Sequence, residues 1–127
     1  EAYKLARSLG FDNINMDIIL GLPGESRDDM LKTVRYVGNS GVRGIKLQLL
    51  HVLKGTDLAD EYTAGKFTCL SMDEYIALIK DALLILPDDI VIHRMTGDGD
   101  KKLLIAPEWS KDKKMVLNRL KEAVGMP

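Results

Sequence analysis

The chain has 127 residues, 46% apolar and 29% charged, and a net charge of −1 at neutral pH. Those values describe one ordinary globular domain and exclude disordered, collagenous and low-complexity classes. A single cysteine, Cys69, excludes an internal disulfide framework and a metal site built mainly of thiolates, and the longest apolar run, 82–86, is far short of a membrane span.

The predicted elements alternate between helix and strand. Ala2, Leu5, Ala6 and Leu9 recur at helical spacing, and Gly10 stops that helix. Residues 14–20 (INMDIIL) form a short apolar run of strand length, ended by the Gly-Leu-Pro-Gly turn at 21–24. Ser26 and Asp29 have capping-box spacing, with Asp in place of Glu or Gln, and open a helix with Met30, Val34 and Val37 on one face, ending near 39–41. Residues 44–52 (GIKLQLLHV) read as the second strand, and 54–56 turn into a short helix around 58–62. Ser71 and Glu74 make a full capping box for a long amphipathic helix whose stripe is Tyr75, Leu78, Ile79, Ala82, Leu83 and Leu86, with Pro87 as its stop. Residues 90–95 (IVIHRM) are a third strand, 96–100 a polar loop, and Ser110 starts a last helix that packs through Met115, Leu117, Leu120 and Val124.

Nearly uniformly apolar strands separated by helices describe βαβ units around a buried parallel sheet. No repeat or linker divides the chain, so 1–127 reads as a single domain. Three strands are few for a barrel or a doubly wound sheet, and the chain opens on Glu1 inside a helical pattern; both suggest a piece of something longer.

Strand faces alternate with period two. Asn15, Asp17 and Ile19 therefore share one face of the first strand, and Lys46, Gln48 and Leu50 share one face of the second. In the third, His93 and Arg94 fall on opposite faces. A carboxylate inside a buried strand costs several kcal/mol or takes up a proton, so Asp17 needs a donor from the protein or a ligand. The polar faces read either as the wall of a ligand cavity or as an internal Asp17–Lys46 ion pair.

Other chemistries lack support. The turn at 21–25 carries no G-x-G-x-x-G or Walker pattern, and no G-x-S-x-G elbow exists. His51 and His93 lack metal-ligand spacing, so no metal site is expected. From Lys101 onward seven Lys or Arg face three acids, a basic stretch that reads as a solvated helix face or as an RNA contact. Trp109 reads as a packing anchor. No secretory signal is visible, and no membrane association is expected; a cytoplasmic setting is.

The run N-x-D-I-I-L-G-L-P-G-E-S at 15–26 resembles the strand and turn that radical S-adenosylmethionine (SAM) enzymes place against their cofactor's adenosine. It is a variant of GxIxGxxE in which Ile19, Gly21 and Glu25 match, with one extra residue before the glutamate and no leading glycine. K-L-Q-L-L-H-V-L-K-G-T at 46–56 looks like the next barrel strand. With H-R-M-T-G-D-G-D at 93–100 and L-L-I-A-P-E-W-S at 103–110, nearly the whole chain is similar to the C-terminal half of the YhcC-like branch, which is related to the Elongator catalytic subunit and the methylthiotransferases.

The resemblance implies an α/β fold, the C-terminal portion of a partial (β/α)6 TIM-type barrel with parallel strands and outer helices. It implies that Asp17, Ile19, Gly21 and Leu50 are cofactor-binding: Asp17 binds the SAM adenosine, Ile19 lies along the adenine, Gly21 brings the turn against the cofactor and Leu50 offers a backbone contact, while Glu25 supports the turn. Lys46, Gln48, His93, Arg94, Asp98 and Asp100 are the candidate substrate-facing residues. The family's CxxxCxxC loop, which holds a 4Fe-4S cluster through three thiolates, is absent, and Cys69 cannot replace it. The expected parent carries the cluster on an N-terminal part, generates a 5′-deoxyadenosyl radical and abstracts hydrogen from a small molecule or an RNA. This part alone is expected to be inactive and to self-associate through exposed apolar surface. The competing readings are another TIM-type barrel with acid–base chemistry at Asp17 and Lys46, and a non-catalytic α/β binding domain.

Overall fold

A computed structural model describes residues 4–5, 15–95 and 101–125, apart from the Arg94 side chain. The expected helix over 2–9 and the loop 96–100, with Asp98 and Asp100, lie outside those residues for the most part or altogether.

Chain order runs β1 (Asn15–Leu20), α1 (Arg27–Gly38), β2 (Gly44–Leu49), β3 (Val52–Leu53), α2 (Asp57–Thr63), α3 (Met72–Ile85), β4 (Val91–Arg94), β5 (Leu104–Ala106), a 3-10 turn (Glu108–Lys111) and α4 (Lys113–Val124). β1, β2 and β4 form one sheet in that order, and both pairs are parallel. Both helix starts anticipated from capping boxes are present: Ser26 Oγ accepts from the Asp29 N–H at 3.1 Å and Ser71 Oγ from the Glu74 N–H at 3.1 Å, with the carboxylates returning to the cap N–H groups. Each satisfies donors that a helix end otherwise leaves orphaned.

The helices cover a single face of the sheet. Ile18 and Leu20 of β1 and Ile45, Leu47 and Leu49 of β2 pack against Met30, Val34 and Val37 of α1, Tyr75, Ile76, Leu78, Ile79 and Ala82 of α3, and Val116 and Leu120 of α4. Each Val, Leu, Ile or Met among these contributes about 1.5–3 kcal/mol when fully buried. The expectation of a sheet buried on both faces is corrected here: Asn15, Asp17 and Ile19 are exposed, because no described element covers the face opposite the helices. The architecture is otherwise the expected one, parallel strands with helices along one side, as in a segment of a TIM-type barrel wall.

Three further expectations change. The second strand stops at Leu49, and Val52–Leu53 leaves the sheet to pair antiparallel with Leu104–Ala106. These short strands enclose a second cluster of Val52, Ala59 and Ala106 with Tyr62, Phe67 and Ile105 against it. That small layer follows the C-terminal ends of β2 and β4, the end where TIM-type folds build their sites. Finally, Ser110 sits in the 3-10 turn and Asp112 caps α4, accepting from the Met115 N–H at 3.1 Å. Leu120 packs inward as expected and Val116 joins it, whereas Met115 and Leu117 lie at the surface.

No helix among the described residues is long and apolar enough to cross a membrane.

Candidate functional site

Register fixes which side chains meet on the open face. β1 and β2 align Asn15 with Gly44, Asp17 with Lys46 and Ile19 with Gln48. Neighbouring strands lie about 4.8 Å apart, so residues in register touch and diagonal ones are reachable. Gln48 takes the diagonal: its Nε2 donates to Asp17 Oδ2 at 3.1 Å. No ion pair joins Asp17 and Lys46 among the described residues, so the amide, not the ammonium, supplies the donor that Asp17 was expected to need. The carboxylate is exposed and has acceptor capacity left over.

Ile19 follows Asp17 on the same face, 45% exposed, an apolar patch beside a carboxylate. β1 ends at the buried Gly21, whose φ of +97° only glycine adopts readily, and an added Cβ would meet Leu70 Cδ1 at 3.4 Å. The Glu25 N–H donates to the Leu22 carbonyl at 3.1 Å, closing the turn. A cleft of about 310 Å3 lies between this turn and Lys66, Phe67, Thr68 and Leu70. Leu50, half-buried, donates its N–H to the Leu20 carbonyl at 2.9 Å, tying the ends of β1 and β2 together.

β4 holds a feature that alternation alone does not show. Ile92 pairs with Ile45, yet Arg94 pairs with Lys46, so His93 is an extra residue at a bulge. Bulges re-aim side chains. His93 is exposed and its ring leans over Gly44, where an added Cβ would collide with it and with Asn15 Oδ1. Backbone register places Arg94 opposite Lys46; its side chain lies outside the described residues. Asp17, Ile19, Lys46, Gln48 and His93 thus belong to one face, with Gly21 and Leu50 at its upper end.

The end of β4 is anchored from behind. Tyr75 of α3, fully buried, donates its hydroxyl to the Met95 carbonyl. Its ring lies 5.7 Å from that of Trp109, whose Nε1 donates to the Leu70 carbonyl at 2.9 Å. Trp109 is the packing anchor anticipated, and burial pushes the Tyr75 phenol well above its ordinary range. Burial likewise raises the Cys69 thiol, the opposite of what a reactive or metal-binding thiolate needs. In the basic stretch, Arg119 is tied to Asp73 of α3 at 3.1 Å, an exposed pair of small energetic weight.

A family model, the Radical_SAM C-terminal domain, matches residues 42–124. The protein YtqA of Bacillus subtilis is 47% identical over 103 residues, covering 81% of this chain and 32% of the relative. The protein YhcC of Escherichia coli K12 is 31% identical over 110 residues, covering 87% of this chain and 35% of the relative. The chain thus spans about a third of the length of these curated relatives. Among solved structures, archaeal Methanocaldococcus infernus Elp3 with an N-terminal deletion aligns with a TM-score of 0.70 at 19% identity, over 91% of this chain and 28% of that one, a likeness of fold.

Proposed function

Because the chain belongs to the radical SAM C-terminal domain family, we propose that it forms the later strands of a radical SAM barrel and one wall of its SAM site. The observation that carries the proposal is Asp17: a carboxylate in the middle of a strand, facing away from every described helix, held by Gln48 at 3.1 Å and followed by an exposed Ile19. A surface strand has no need of that order. An adenosine does: hydroxyl and amino donors call for a fixed acceptor, and the base for apolar surface.

The residues present suit SAM. Asp17 accepts from the nucleoside, Gln48 fixes the rotamer of the carboxylate, Ile19 packs against the base and excludes water, and the Leu50 carbonyl is the backbone group left for the ligand, since its N–H already serves Leu20. Gly21 lets the chain turn without a side chain at the site's rim. When bound, SAM supplies a carbon–sulfur bond that one-electron reduction cleaves. Lys46 and His93 lie lower on the same face, where a substrate would meet them.

The residues present do not suit the cluster. It needs three thiolates, and the one cysteine here has its thiol held protonated by partial burial. In this reading the remaining two-thirds of the parent protein holds the cluster, pairs its own strands with the edge of β1 and closes the interior over Asp17. Catalysis is a property of that whole protein.

The test uses the full-length protein reconstituted with iron and sulfide. Losing a charge-assisted hydrogen bond costs about 1.5–3 kcal/mol, so Asp17→Ala should weaken SAM binding in equilibrium dialysis by roughly 10- to 150-fold. Iron content should not change. Equal loss of iron and SAM would make Asp17 a folding residue and end the proposal.

A further inference from the structure

Gly44 begins β2 at the other end of the open face from Gly21. Glycine weakens a strand, and where it stands inside one, another group commonly approaches the backbone closely. Gly44 is not among the glycines with positive φ, so no backbone requirement accounts for it. Space does. An added Cβ would strike Asn15 Oδ1 from β1 and His93 Nε2, at 2.5 Å, from β4. An amide and an imidazole therefore converge over a backbone kept bare.

The same two residues line a cleft of about 710 Å3 with Arg43, Asp89 and Val91. One cation and one acid stand on its rim, so its charge selects neither anions nor cations strongly. Among the described residues no hydrogen bond occupies the Asn15 amide or the His93 ring. Asn15 offers a donor and an acceptor side by side, and a neutral imidazole offers one of each. The bulge that places His93 here breaks the ladder with β2.

We infer that Asn15, Gly44 and His93 form a hydrogen-bonding subsite for a neutral, planar amide-type group of the substrate, a carboxamide or lactam presenting N–H and C=O together. The inference rests on the reading of the open face as a barrel interior and adds to it a substrate class and a place: the lower end of that interior, one strand repeat below Asp17. Asn15 pairs with the group through both its amide atoms, His93 supplies a further bond, and Gly44 leaves room for those two side chains to converge over the backbone.

Carbethoxylation of His93 by diethyl pyrocarbonate, followed by peptide mass spectrometry on the full-length protein, tests this with a free histidine peptide added as reference. A small lactam binds weakly, so 2-pyrrolidone at about 100 mM should slow His93 modification roughly three-fold. Modification of the added peptide should be unaffected. N-methyl-2-pyrrolidone keeps the ring and carbonyl but lacks the N–H, and should give no protection. Asn15→Ala and, independently, Gly44→Ala should each abolish protection while far-UV circular dichroism stays unchanged; either variant suffices if the other misfolds. Equal protection by the two lactams, protection that survives in Asn15→Ala, or none in the unsubstituted protein would overturn the assignment. Asp17→Ala separates the two readings: protection of His93 that persists while SAM binding is unaffected by that substitution rejects the SAM wall and keeps the subsite, whereas the reverse pattern does the opposite.

Discussion

Tyr75→Phe isolates the bond that fixes β4 behind the open face. The substitution keeps the ring, its full burial and its contact with Trp109, and removes only the hydroxyl that donates to the Met95 carbonyl. At pH 7 the loss of one such bond should cost about 1 kcal/mol. The pH dependence is more diagnostic. Burial raises the phenol's pKa in the folded state above its ordinary 10.0, so the native protein keeps its proton where the unfolded chain gives it up. A group raised in this way contributes its full stability below the unfolded pKa and loses it as pH climbs above that value. The slope approaches about 1.4 kcal/mol per pH unit. The native protein should therefore lead the variant by about 1 kcal/mol at pH 7 and 9, draw level between about pH 10 and 11 and fall slightly behind at pH 11. Urea titrations followed by Trp109 fluorescence between pH 7 and 11 measure this directly. A difference that stays constant with pH would refute the claim that the phenol is desolvated, and a difference near zero at pH 7 would refute the bond.

Three shorter expectations accompany it. Ser71→Ala removes the hydroxyl that caps α3 and should cost about 1 kcal/mol in urea denaturation, with Ser71→Asp restoring most of it. The Asp29 carboxyl is held below its ordinary value by hydrogen bonds from the Ser26 backbone and side chain; stability tied to it is present above the unfolded pKa and is lost as pH falls below it, so Asp29→Asn should flatten the acid limb of a pH–stability curve. Iodoacetamide should label Cys69 slowly at pH 8, because burial raises its thiol, and rapidly in urea; fast labelling of the folded protein would contradict that burial.

Local signals were legible in the sequence and pairing-dependent ones were not. Ser26–Asp29 and Ser71–Glu74 cap helices through contacts three residues apart, so spacing alone finds them. Period-two alternation put Asn15, Asp17 and Ile19 on one face because an unbulged strand has no other option. At β4 His93 is an extra residue against β2, a bulge that alternation has no means of showing. β3 and β5 are two and three residues long and meet across fifty residues of chain, which leaves no periodicity to detect. In the last helix Leu120 packs as its sequence suggests, but Ser110 resembles a cap as well as Asp112 does, and beyond the intervening 3-10 turn Val116 points inward where Met115 and Leu117 are expected to. The Asp17–Lys46 alternative weighed opposite charges in register; the diagonal Gln48 contact depends on side-chain reach that the sequence does not encode.

The most direct test of the account is a crystal structure of the full-length protein with SAM bound. The Asp17 carboxylate should lie within hydrogen-bonding distance of the adenosine, with Ile19 against the base and the strands of the remaining protein continuing from the edge of β1. A nucleoside bound elsewhere, or Asp17 covered by protein with no ligand near it, would contradict it.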